Sequence, residues 1–126
     1  MNEYFSFEDL KVYKEARKLV KDIYLIQGIL PQTETFGLGN QIRRAAISIT
    51  ANLAEGSGRT SIKEKIHFIE ISFGSLMEAF CELQTASDLG YIDNEKVEKL
   101  RPQFRTVSKL LSGLRNHFLT RTTSTH

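Results

Sequence analysis

A chain of 126 residues with 40% hydrophobic and 25% charged side chains has the makings of one folded domain rather than a disordered segment. No apolar run approaches the roughly 20 residues that cross a bilayer, so no membrane partner is expected, and a formal net charge of +2 is too small to indicate nucleic acid by itself. The lone Cys81 excludes an internal disulfide.

The opening MNEYFSFEDLKVYKE has neither a basic start nor an apolar core. No signal peptide is expected from it and, together with Cys81, it points to a cytoplasmic location. A first helix is predicted after Ser6, whose hydroxyl would cap a turn carrying Glu8 and Asp9. Val12, Ala16, Leu19, Ile23 and Ile26 recur at three- and four-residue intervals, widened by Tyr13, Val20 and Tyr24. Gly28 and Pro31 end this helix, and PQTETFGLGN reads as a loop within or just after which the second helix begins.

The second helix has Ile42, Ala46, Ile49 and Leu53 as its apolar line. The GSGR that follows, residues 56–59, comes after a helix rather than a strand, so it reads as a turn and not as a phosphate cradle. Ser61-Ile-Lys-Glu64 is a capping box for the third helix, whose stripe runs through Ile62, Ile66, Ile69, Phe73, Leu76, Phe80 and Leu83. Asp88-Leu-Gly-Tyr-Ile92 reads as a helix end with Gly90 in the left-handed conformation. Asp93 is placed to cap a fourth helix with the core line Val97, Leu100, Phe104, Val107, Leu111, Leu114 and Phe118. Pro102 is expected to kink or restart it near residue 101. Residues 120–126 bury nothing and are expected to form a disordered tail after a bundle spanning 1–119. Short connections between four helices predict an all-α fold, an antiparallel up-down-up-down four-helix bundle.

On the second helix, Gln41, Arg44, Ser48, Asn52 and Glu55 share one face. Ala45, Ala46, Ala51 and Ala54 beside them let another backbone come close. A polar seam is therefore expected, within the bundle or between subunits, with a partly exposed polar face as the alternative. The third helix offers a comparable site at Ser75, with Glu78 a turn later, and Arg43 or Arg44 is expected to pair with Glu55 or Glu78. His67, His117 and His126 have no metal-ligand spacing, and one cysteine adds no cluster. Neither catalysis nor a metal or cofactor is expected.

The series F-x-x-L-K-V-Y, Q-I-R-R-A-A-I-S-I, A-N-L-A-E-G-S-G-R, F-x-x-I-S-F-G-S-L and L-G-Y-I resembles the four-helix-bundle family of proteins encoded in 23S rRNA intervening sequences. The resemblance covers roughly residues 5–119. The positions it carries over are Gln41, Arg43, Arg44, Ala45, Ser48, Asn52, Ala54, Glu55 and Gly56, then Gly74, Ser75, Leu76 and Glu78. Met77-Glu78-Ala79-Phe80 departs from the Glu-Leu-Glu-like run usual in the family at that point. The resemblance implies a left-handed bundle that assembles as a ring, a homopentamer. The chain is also similar to the accessory proteins of diversity-generating retroelements, a related bundle implicated in nucleic-acid binding beside a reverse transcriptase.

Charge is unevenly spread. Residues 99–126 hold Lys99, Arg101, Arg105, Lys109, Arg115 and Arg121 with no acid, and the first helix adds Lys11, Lys14, Lys18 and Lys21, diluted by Glu15 and Asp22. In an up-down bundle these two helices are neighbours. The predicted nucleic-acid surface is accordingly Lys11, Lys14, Lys18, Lys21, Arg101, Arg105, Lys109 and Arg115, which would neutralise phosphates with little base readout. A ring would repeat it and raise avidity. With no helix-turn-helix or stacking platform, RNA or a ribonucleoprotein is a better fit than a specific DNA sequence. The alternative is a ring-shaped scaffold that presents a surface to a protein partner without direct nucleic-acid binding.

Overall fold

The structure, a computed structural model, describes residues 5–124, with side chains through Arg121. The first four residues of the expected bundle segment, and Thr125 and His126 of the expected tail, lie outside the described residues. Among those described there are four α-helices and no strand: α1 (Lys11–Gln27), α2 (Leu38–Ser57), α3 (Ile62–Asp88) and α4 (Asn94–Ser124). The α2–α3 interface is the most extensive, and α3–α4, α1–α2 and α1–α4 also pack together. Each helix gives one apolar line to a shared core. Ala16, Leu19 and Ile23 meet Ile42, Ala46 and Ile49, then Leu76, Ala79 and Leu83, then Val97, Val107 and Leu111, all essentially inaccessible to solvent.

The helix ends show where local chemistry decides. Ser6 does not cap α1: Ser6–Asp9 is a 3₁₀ turn, and α1 starts at Lys11 after an extended Leu10. Glu8 closes that turn instead, its carboxylate accepting from the Phe5 N–H at 2.7 Å. Ser61 does cap α3, its hydroxyl accepting from the Glu64 N–H at 3.0 Å. At the other end of α3, Gly90 takes a φ of +79°, which only glycine adopts without strain. The Gly90 N–H then donates to the Ser87 carbonyl and the Tyr91 N–H to the Ala86 carbonyl, both at 2.9 Å, satisfying carbonyls the helix leaves open.

Pro102 does not restart the last helix. α4 runs unbroken from Asn94 to Ser124 with Pro102 inside it, and so passes residue 119, the expected end of the bundle. Pro102 is exposed, so its ring lies off the core line of Val97, Leu100 and Phe104 and its missing donor costs no buried bond. The GSGR segment also has more in it than a turn. Gly56 is buried in the last turns of α2, and a Cβ there would stand 2.9 Å from the Cβ of Phe68. That glycine sets how closely α2 and α3 approach.

Candidate functional site

Burial of Val12, Ala16, Leu19 and Ile23 fixes the rotation of α1 and leaves Lys11, Lys14, Lys18 and Lys21 on its outer side. With Arg17 and Glu15 they border one shallow concavity along the helix. Arg17, absent from the predicted set, belongs to this surface; its place between Lys14 and Lys18 was the available signal. Lys18 pairs with Glu15 at 3.5 Å, but with 71% of its side chain exposed the pair contributes little. Asp22 accepts a hydrogen bond from Gln103 of α4 at 3.0 Å, so this carboxylate is engaged between α1 and α4.

On α4 the predicted cations divide. Arg101 forms two bonds to Glu98, at 2.6 and 3.0 Å, and its guanidinium lies 4.8 Å from the centre of the Phe80 ring. The hydrogen bond from Arg101 is the main reason the Glu98 carboxyl sits below the usual carboxylate range. Arg115 reaches across to Glu70 of α3 at 3.2 Å. Both are thus engaged on the α3 side, while Arg105 and Lys109 are exposed on α4.

Part of the polar seam lies inside the α2–α3 interface. Ser75 donates to the Ser48 hydroxyl at 2.7 Å, and Asn52 donates to the Ser48 hydroxyl and carbonyl, both at 2.8 Å. Ser72, not singled out from the sequence, is its most buried member: fully inaccessible, it donates to the Ile49 carbonyl at 2.7 Å. Gln41, Arg44, Glu55 and Glu78 are exposed.

The expected pairing of Arg43 or Arg44 with Glu55 or Glu78 does not form among the described residues. Arg43 turns the other way, to the Gln27 side chain at 2.9 Å and the Thr35 carbonyl at 2.7 Å, tying α2 to the end of α1. Gly39 lets this corner close, since a Cβ there would stand 2.8 Å from the Glu34 carbonyl oxygen and 3.2 Å from the Arg43 guanidinium. Glu55 pairs instead with Arg59, one turn on. Further along α3, Glu82 has a buried carboxylate oxygen without a hydrogen-bond partner among the described residues. Its burial, and then the charge of Glu78, raise its carboxyl above the usual range.

Among the described residues no group of three or more His, Cys, Asp and Glu side chains is disposed to hold a metal ion. No described helix is long and apolar enough to cross a membrane.

The chain is similar in fold to the crystal structure of a Bacteroides thetaiotaomicron VPI-5482 protein of unknown function from the S23 ribosomal protein family. The two share 23% sequence identity with a TM-score of 0.75, over 82% of this chain and 97% of that one. A comparison with curated proteins gives no match. Residues 8–113 match the 23S rRNA-intervening sequence protein family, a span that takes in the α1 lysines, the whole seam and most of α4. The chain therefore belongs to the family of 23S rRNA-intervening sequence proteins.

Proposed function

We propose that this protein is a non-enzymatic, oligomeric accessory protein that meets RNA or a ribonucleoprotein through the outer face of α1, with Arg105 and Lys109 of α4 as a second, separate set of exposed cations. The observation that carries this reading is the row of exposed cations along α1, in which Lys11, Lys14, Arg17 and Lys21 have no carboxylate partner among the described residues. Such a row follows a phosphate backbone and gains affinity by releasing counterions. In this proposal the helices run up-down-up-down, supported by the connections 28–37, 58–61 and 89–93, with the left-handed twist that the family resemblance implies. The protein is cytoplasmic, and a closed homopentameric ring repeats the basic face.

Binding to mixed-sequence RNA and DNA probes, followed by fluorescence anisotropy across a salt series, tests the reading. Lys14→Glu with Lys21→Glu should weaken binding and lower the salt slope by about one for each phosphate no longer neutralised. Arg105→Glu with Lys109→Glu should do the same to a smaller degree, with the fold intact, because exposed charges contribute little stability. Salt-independent binding, or none near physiological ionic strength, would overturn it in favour of a protein scaffold. That second reading has its own support in Tyr24, Leu25 and Ile47, apolar side chains exposed along the α1–α2 groove.

A further inference from the structure

Where the segment just before α1, the end of α2, the first turns of α3 and the later turns of α4 converge, the packing leaves a cavity of about 150 Å³. Its walls are chiefly Leu10, Leu53, Ile69, Leu114 and Phe118. Gly56 and Ser57 border it from α2, and the Ser57 hydroxyl is turned away to the Ala54 carbonyl at 2.7 Å.

One cation borders this apolar space. Lys65 is half-buried, and its ammonium donates to the Ser57 carbonyl at 3.2 Å. An ammonium has three donors, and Lys65 has no carboxylate partner among the described residues. A partly desolvated cation with spare donors at the edge of an apolar cavity matches a ligand with an apolar body and an anionic head.

We propose that this cavity binds a small amphipathic carboxylate, its aromatic or short aliphatic body against Leu53, Ile69 and Leu114 and its carboxylate on Lys65 Nζ. Volume sets the class: a space of about 150 Å³ between apolar side chains matches a single benzene-like ring. Charge sets the polarity of the head, because a charge-assisted bond to an ammonium is stronger than a neutral one. A phosphodiester would set two polar oxygens against apolar walls with one cation to meet them, and a neutral polar solute would leave the ammonium without its anion. None of the cavity residues belongs to the basic face of α1 or to Arg105 and Lys109, so the site stands or falls independently of nucleic-acid binding.

The test is titration of the full chain with sodium benzoate and sodium hexanoate, with sodium acetate and toluene as controls, followed by amide chemical shifts in two-dimensional NMR. Benzoate and hexanoate should bind saturably with a Kd of roughly millimolar or tighter, shifting the amides of Lys65, Ile69 and Leu114. Acetate, which lacks the apolar body, should not saturate over the same range. Lys65→Met should weaken benzoate about tenfold or more while toluene still enters, which shows that the cavity survives the substitution. Lys65→Gln gives the same comparison if the methionine variant misfolds. Absence of saturable benzoate binding, shifts centred on other residues, or equal benzoate affinity in the parent and either Lys65 variant would overturn the proposal.

Discussion

Ser72 shows how little of a helix's polar chemistry needs to be visible from outside. It lies three residues after Ile69 and four before Leu76, so periodicity puts it on the buried face of α3; what periodicity does not supply is its partner. Only the close approach of α2 delivers the Ile49 carbonyl to it. Ser48 and Asn52 were legible because small polar residues recur beside alanines, and Ser75 because it follows Gly74 on α3, whereas the partner of Arg43 was not, since it depends on the path of the loop at Thr35. Ser72→Ala should cost about 0.5–1.5 kcal/mol, read as a lower midpoint in urea unfolding with an unchanged slope. Asn52→Leu should cost less, because both acceptors of Asn52 lie on its own helix and the Ser48 hydroxyl keeps its bond from Ser75. Glu82 gives a pH-dependent counterpart. Its folded-state carboxyl is raised, first by burial and then by Glu78, so the folded state holds its proton to higher pH than the unfolded chain does. Stability from this group therefore falls as pH rises from the ordinary carboxylate range through the raised value. Glu82→Gln should raise the melting temperature at neutral pH, and the gain should vanish in melts run below the ordinary carboxylate range.

At the scale of helices, the apolar periodicities place the core lines of α1, α2 and α4, and on α3 they place Ile69, Leu76 and Leu83. Ile62 and Ile66 stay outside the core, whereas the smaller Ser72, Ala79 and Ala86 are buried where α2 comes close. The boundaries were harder to read where two rules compete. The acidic first turn after Ser6 is real, yet it closes as a 3₁₀ turn whose own carboxylate caps it. Pro102 is the sharper case. Proline is a strong local signal for a break, but the apolar residues on both sides of it, Val97, Leu100, Phe104 and Val107, all enter one core. That burial outweighs the loss of one solvent-side hydrogen bond. The imbalance can be measured. Pro102→Ala restores the missing donor at an exposed position and should stabilise the protein by about 1–3 kcal/mol, seen as a higher melting temperature. No gain would mean that α4 has bent to relieve the proline and that its neighbours have packed around the bend.

For the molecule as a whole, the small net charge of +2 conceals a separation of charge between helices that the linear sequence shows only in part. α1 and α4 are rich in cations and α3 in acids, and folding lets α3 draw Arg115 to itself through Glu70 while α1 keeps its cations on the outside. The positions carried by the family resemblance contain a residue that this single chain leaves unexplained. Gly74 is exposed in the interior of α3, and a Cβ built there meets nothing within 4 Å. An isolated bundle has no steric need for glycine at that point, and alanine should stabilise the helix by about 0.5–1 kcal/mol. A proposed ring supplies a reason for the glycine if α3 is approached there by a second copy, since an added methyl would then hold the two surfaces apart. Gly74→Ala should accordingly raise the melting temperature at dilutions where the chain is monomeric. At micromolar concentration, light scattering should show the same variant losing assembly, while the parent reports a mass several times 14.4 kDa. A variant that is stabilised and still assembles like the parent would place the subunit interface away from this face of α3. A parent that scatters as a monomer would remove the ring, and with it the multiplied basic surface.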